Sequence, residues 1–365
     1  MSSLKCGIVG LPNVGKSTLF NALSNAKAES ANFPFCTIDP NVGIVTVPDS
    51  RLDHLRDLAA SQNKIPAMIE FVDIAGLVKG ASEGKGKGNA FLSHIREVDL
   101  IIHVVRCFED DDIIHVEGDV NPERDIRIIE EELILKDLES VDKRLNNIKK
   151  QARSGDKKLA IQADAIQRLA DHLQDGKSAR TFKATQEEKD AYSDLFMLSA
   201  KPVLYACNVA EDELQEDNDH VKTVRTIAAE HNDTVVTFCA KIEAEIAELD
   251  EDEKAMFLEE LGLTSAGLDR LIRSAYENLN LITYFTVGPK EARAWTITRG
   301  TKAPQAAGVI HTDFEKGFIR AETIAYKDFS ELKSEKAAKE AGKMRQEGKE
   351  YIVQDGDVML FRFNV

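Results

Sequence analysis

Gly10-Leu11-Pro12-Asn13-Val14-Gly15-Lys16-Ser17-Thr18 is a complete G-x-x-x-x-G-K-[ST] pattern, a spacing that lets one loop wrap a chain of phosphates. The glycines let main-chain N–H groups from Asn13 and Val14 through Gly15 to Thr18 curl around phosphate oxygens, and the helix that must follow adds partial positive charge. In such a loop Lys16 neutralises the β and γ phosphates and the Ser17 hydroxyl is a Mg²⁺ ligand. Asp73-Ile74-Ala75-Gly76 supplies a second element. An Asp at the carboxyl end of a parallel strand orients Mg²⁺, and Gly76 offers its N–H to the γ-phosphate. Thr37, between the two, suits the hydroxyl that closes on Mg²⁺ when a γ-phosphate is present, the alternative being an ordinary loop threonine. Gly80–Gly88 has the composition of a second switch loop, and equally of an ordinary surface loop.

Such groups work only at the ends of strands. Leu4–Val9 precedes the phosphate loop, and a helix pattern runs from Lys16 to about Ala26. Ala67–Val72, Leu100–Val105, Val203–Cys207 and Thr234–Phe238 are further apolar runs of strand length. Strands alternating with helices predict a doubly wound parallel α/β sheet. Between about 122 and 200 the pattern changes. Ile134, Leu138, Val141, Leu145 and Ile148 form a short coiled-coil seam, Ser154-Gly155-Asp156 breaks it, and Ala163, Ile166, Leu169 and Leu173 resume the stripe. A helical hairpin inserted in the nucleotide domain is expected, followed by a helix capped by Thr185-x-x-Glu188 and running towards Leu198. From about Asn280, strands are expected at Leu281–Val287, Ala294–Thr298 and Val358–Phe363, with helices around Ala306–Lys316 and over Ser330–Gln346. The organisation read from this is a P-loop domain over 1–280, interrupted by a 122–200 insertion, and an α+β domain over 281–365.

The three phosphate-facing elements resemble those of translation-factor-class GTPases. Guanine reading in that class uses Asn-Lys-x-Asp, which this chain lacks; after the strand Val203–Cys207 stands Asn208-Val209-Ala210-Glu211. Glu211 is one methylene longer than Asp, so its carboxylate loses the paired contact with guanine, a costly loss because buried polar groups are left unpaired. Adenine offers a 6-amino donor, which Asn208 and a main-chain carbonyl suit, so either relaxed or ATP-preferring specificity is expected. With Asn32-Phe-Pro-Phe-Cys-Thr37 and Asp73-Ile-Ala-Gly-Leu-Val-Lys-Gly-Ala-Ser82, these motifs resemble the YchF/Obg-like ATPase family over essentially the whole chain. The resemblance implies a C-terminal domain similar to the TGS module, a ubiquitin-like β-grasp, together with ATP hydrolysis, ribosome association, and a part in translation and stress responses. Leu77 stands where many relatives carry a water-orienting Gln. His115 matches the histidine that the family is proposed to use for that purpose, the alternative being a surface-loop histidine. Asn13 resembles the Asn that ligates K⁺ in cation-dependent relatives, the alternative being a turn-forming Asn. His103, mid-strand, reads as a core histidine.

Composition limits the partners. There are 63 Asp+Glu against 47 Lys+Arg, a net charge of −16, which excludes a uniformly basic nucleic-acid coat. The charge is uneven: residues 201–280 hold 19 acidic and 7 basic side chains, whereas 281–365 hold 12 and 14. The RNA face is therefore sought elsewhere than 201–280. Lys143, Arg144, Lys149, Lys150, Arg153, Lys157 and Lys158 cluster at the hairpin, either as a clamp for ribosomal RNA phosphates or as a solvated helix face. Arg293, Arg299, Lys302, Lys316 and Arg320 offer similar charge in the last domain. The 5 scattered cysteines, without a C-x-x-C pair, fit a reducing compartment, and Cys36 is either redox-responsive or incidental. No signal-peptide or membrane-spanning pattern is present, and a cytoplasmic monomer without DNA or membrane partners is expected. A small-molecule kinase shares the phosphate loop but not the two switch-like segments, and a non-catalytic scaffold would use nucleotide only to fold.

Overall fold

The computed structural model describes residues 4–25, 41–74, 88–152 and 157–364. Thr37 and Cys36, Gly76 and Leu77, the glycine-rich stretch before residue 88, and Arg153 lie outside the described residues. In chain order the strands are β1 (Lys5–Val9), β2 (Val42–Thr46), β3 (Asn63–Ile65), β4 (Met68–Asp73), β5 (Leu100–Arg106), β6 (Val203–Asn208), β7 (Thr234–Phe238), β8 (Leu281–Val287), β9 (Glu291–Thr298), β10 (Phe318–Ala325), β11 (Arg345–Glu347) and β12 (Asp357–Phe363). The helices are α1 (Lys16–Asn25), α2 (Ser50–Ala59), α3 (Gly88–Glu97), α4 (Pro122–Ala152), α5 (Lys157–Gln174), α6 (Gln186–Asp190), α7 (Asp219–His231), α8 (Ala240–Ile246), α9 (Glu251–Glu260), α10 (Gly267–Asn278), α11 (Ala303–Ile310), α12 (Thr312–Lys316), α13 (Tyr326–Leu332) and α14 (Glu335–Glu340). None of the described helices is long and apolar enough to cross a membrane.

The chain forms two compact units, and the larger holds Leu4–Gly43 and Phe71–Leu271. Its sheet runs β4-β1-β5-β6-β7. β5 pairs in parallel with β1 and β6, and β6 with β7. All seven residues of β5 and all six of β6 are buried, the burial expected of parallel strands covered on both faces. Because β1, β5, β6 and β7 point the same way, the loops that follow them emerge on one edge. His103 is buried in β5 against Tyr205, as its mid-strand place predicts. The hairpin is α4 and α5, packed through Ile134, Val141, Leu145 and Ile148 against Ile166, Leu169 and Leu173. The Thr185–Glu188 capping box forms, yet α6 stops at Asp190 rather than running towards Leu198. The cause lies on α4: the buried Asp137 carboxylate accepts from the N–H groups of Leu198 (2.8 Å) and Ser199 (2.7 Å), holding that stretch as a loop.

The smaller unit combines Ile44–Glu70 with Ile272–Val365. Its sheet runs β11-β10-β12-β8-β9-β3. β8 and β9 form an antiparallel hairpin, and β12 pairs in parallel with β8 and antiparallel with β10. Within 281–365 this is the strand order of the expected β-grasp. Ile282, Tyr284, Ile297, Ala306, Phe318, Met359 and Phe361 build its core. The unit also takes in β3, which joins β9 in parallel, so it is assembled from two stretches of chain rather than from 281–365 alone. The helix expected over Ala306–Lys316 is two helices, because His311 is extended (φ −161°) and caps α12 by accepting from the Asp313 N–H at 3.2 Å. Ser330–Gln346 is not one helix either: Lys333 (φ 62°) ends α13, Ser334 caps α14, and Arg345–Glu347 is a strand.

Candidate nucleotide site

The phosphate loop leaves β1 at Val9 and enters α1 at Lys16. Two of its glycines are demanded by space. A Cβ on Gly10 would lie 2.8 Å from the Val104 carbonyl oxygen. Gly15 has φ +96°, and a Cβ there would lie 2.3 Å from Asn208 Nδ2. Asn13 is left-handed at φ 63°, a conformation Asn tolerates better than most residues. The bond from Leu19 N–H to the Gly15 carbonyl (3.0 Å) opens the helix, with Ser17 and Thr18 exposed in its first turn and Val14 buried beneath the loop. Lys16 Nζ lies 2.5 Å from Asp73 Oδ1, so the fold brings together the two charged groups the sequence assigns to phosphate and Mg²⁺.

Beside the loop opens a cavity of about 730 Å³. Asn13, Gly15 and Thr18 line it from below, Asn208–Glu211 and Cys239–Lys241 from one side, and Phe108, Asp110 and Ile113 from the loop after β5. This volume lies within the range of small-ligand clefts. Asn208, expected to read the base, is used differently. Its Nδ2 donates to the Val14 carbonyl (3.0 Å) and its Oδ1 accepts from the Ala240 N–H (2.9 Å). The side chain thus braces the phosphate loop against the segment after β7. Val209 is buried, its N–H bonded to the Phe238 carbonyl at 2.9 Å, while Glu211 is exposed at the cavity lip. Burial pushes the Cys239 thiol up, which suits an apolar lining residue rather than a nucleophile.

His115 is not a surface-loop residue. It is 5% exposed, with Nδ1 accepting from the Glu117 N–H (3.1 Å) and Nε2 against Asp125 Oδ2 (2.8 Å). That network assigns the ring proton to Nε2, which donates to the carboxylate. Asp125 lies in the first turn of α4, so the histidine ties the loop after β5 to the hairpin. Asn13 Nδ2 donates to the Ile114 carbonyl (3.0 Å), one residue away. Arg106, the last residue of β5, was not a sequence candidate. Its signal in the sequence is a charged residue closing a buried strand whose other members, His103 apart, are apolar. The basic residues of the hairpin engage their own surroundings: Lys143 with Glu139 (2.6 Å), Arg144 with Asp194 and the Ala191 carbonyl, Lys149 with Gln167 (2.6 Å). In the smaller unit Arg293 stacks on Trp295, 3.9 Å from the ring centroid, Lys302 pairs with Glu350, and Arg320 lies 3.7 Å from Glu322. Exposed pairs of this kind are worth only about 0–1 kcal/mol, so a phosphate can replace them.

A glycine loop between a parallel strand and a helix, its lysine on a strand-end aspartate, and a cleft at the carboxyl edge of the sheet define a P-loop nucleotide-binding protein of the GTPase type. The model for "50S ribosome-binding GTPase" (MMR_HSR1) matches residues 5–153, and YchF-GTPase_C, described as "Protein of unknown function (DUF933)", matches residues 281–364. The Ribosome-binding ATPase YchF of Bacillus subtilis (strain 168) is 55% identical over 365 residues, covering 100% of both chains. Obg-like ATPase 1 of Gallus gallus is 48% identical over 369 residues, covering 100% of this chain and 93% of that one. A solved structure of the Schizosaccharomyces pombe YchF GTPase superposes with a TM-score of 0.89 at 41% identity, covering 99% of this chain and 98% of that one. This chain belongs to the YchF family.

Proposed function

We propose that this protein binds ATP in preference to GTP, hydrolyses it to ADP and phosphate with Mg²⁺, and uses the nucleotide state to govern its association with the ribosome. The observation that carries the reading is the cavity beside the phosphate loop, with Glu211 at its lip where guanine readers place an Asp. The names of the bacterial relatives at 55–56% identity, ribosome-binding ATPases, support both halves of it. Asn13 through Thr18 would hold the phosphates, and Val209 with Glu211 would flank the base. Mg²⁺ suits the donor set of Ser17, Thr37 and Asp73, two hydroxyls and a carboxylate, because it prefers few hard protein oxygens. Bound there, it would offset the charge of the phosphate oxygens. Gly76 would complete the γ-phosphate contacts. Lys16 would exchange its Asp73 partner for phosphate. His115 would orient water, which requires it to leave Asp125. K⁺ near Asn13 is a further element of the proposal. The hairpin within 122–200 and the 281–365 domain are the proposed ribosome-facing parts, placing the protein in the cytoplasm.

Paired ATP and GTP titrations with phosphate-release kinetics, run with and without ribosomes and with K⁺ or Na⁺, test this. Tighter ATP binding and release of phosphate to water without an acceptor metabolite are expected. A strong GTP preference would replace the reading by a GTPase switch, and dependence on an acceptor would replace it by a kinase.

A further inference from the structure

Arg106 is 1% exposed, yet among the described residues no carboxylate pairs with it. Its Nε donates to the Phe108 carbonyl (3.1 Å), Nη2 to the Asp110 carbonyl (3.0 Å) and Nη1 to the Ile113 carbonyl (2.8 Å). The guanidinium also covers the Phe108 ring, 4.6 Å from its centroid. Burying a cation on neutral oxygens alone is expensive, and an aliphatic side chain would end β5 without that cost. What the arginine contributes is shape. A planar fork with donors in fixed directions gathers three carbonyls from residues 108–113 around one point, which a lysine ammonium cannot reproduce. Phe108, Asp110 and Ile113 all line the cavity, and the next carbonyl, that of Ile114, receives the Asn13 amide of the phosphate loop.

We propose that Arg106 is a positioning residue of the nucleotide site: its guanidinium moulds residues 108–113 into one wall of the cavity and presents the Ile114 carbonyl to Asn13. The proposal rests on reading that cavity as the nucleotide site. It assigns Arg106 no contact with nucleotide; the effect travels through the loop.

The test uses the full chain as wild type, Arg106→Lys, Asn13→Gly and the double variant, with a fluorescent ADP analogue for binding and phosphate release for turnover. Asn13→Gly removes the amide while keeping the left-handed backbone. Arg106→Lys should raise Kd and KM roughly 10- to 100-fold, the loss of one or two charge-assisted hydrogen bonds, while kcat stays within about threefold. The double variant should lose less than the product of the single losses, because Asn13 already depends on the loop. Amide hydrogen exchange separates positioning from scaffolding: the Lys variant should expose the amides of 107–118 and leave those of β1, β5 and β6 protected. Binding within about twofold of wild type, multiplicative effects with Asn13→Gly, or loss of protection throughout the strands would each overturn the proposal. If wild type binds no nucleotide, the reading of the cavity fails instead.

Discussion

Changing Asn208 to Asp replaces one NH₂ by an oxygen, and the structure makes that exchange severe. Asn208 is 4% exposed, and its two polar atoms face opposite requirements: Oδ1 accepts from Ala240, and Nδ2 donates to the Val14 carbonyl at 3.0 Å. In Asn208→Asp one oxygen keeps the Ala240 bond while the other opposes the Val14 carbonyl, acceptor against acceptor. A lost buried bond costs about 1–3 kcal/mol, and an unpaired buried charge adds several kcal/mol unless the carboxyl takes up a proton. The protonated carboxyl can donate to Val14. Its proton is therefore held more tightly in the folded state than in the unfolded chain, so the sign is clear: the variant should be least handicapped at low pH and lose stability as pH rises. Urea unfolding and nucleotide titration at pH 5 and pH 8 measure this. The deficit against wild type should grow by about 1–3 kcal/mol over that interval, below the one-proton limit of about 4 kcal/mol for three pH units. Asn208→Ala, which lacks the proton, should lose about 2–4 kcal/mol at both pH values. If Asn208→Ala kept full stability and lost only ATP-over-GTP discrimination, Asn208 would be a base reader and the brace argument would be wrong.

Glu211→Asp should move relative affinity towards GTP by about tenfold, since shortening by one methylene restores the carboxylate reach that guanine requires; an unchanged ATP/GTP ratio in competition titration would remove Glu211 from base reading. His103 is held down to about 3 from its ordinary 6.5 by burial and by Arg180. The unfolded chain therefore takes up a proton that the folded chain refuses, and stability should fall as pH drops below about 6.5, by about 2 kcal/mol at pH 5. Urea midpoints of wild type and His103→Phe at pH 7 and pH 5 check it, and equal pH shifts in the two proteins would contradict it. Reversing the charge of Lys149 and Lys150 on the hairpin should weaken ribosome co-sedimentation and flatten its salt dependence. Unaltered co-sedimentation would exclude RNA docking there.

What the sequence determined by itself was whatever depends on neighbours along the chain. The phosphate loop is legible because its chemistry is packed into nine consecutive residues, and β5 because a run that is apolar on both sides of His103 has one economical burial. The hairpin is legible because the stripe from Ile134 to Ile148 repeats at the period of a helix seam. Ser330–Gln346 shows where such reading stops. Its composition favours helix, yet a left-handed Lys333 and a capping Ser334 divide it, and its end joins β11 because β10 offers an edge to pair with.

Tertiary structure alone decided the rest. Asn208 and Val14 are 194 positions apart, and nothing local says that the carboxamide will spend its donor and acceptor on main chain instead of a purine. The pairing of β3 with β9 likewise draws residues 63–65 into the sheet of the C-terminal segment. The burial of His115 follows from the first turn of α4 placing Asp125 within 2.8 Å of the ring. Side-chain type sets what a residue can donate or accept, and the sequence states it outright. Which partner takes up that capacity is set by which loops the parallel sheet delivers to the same edge.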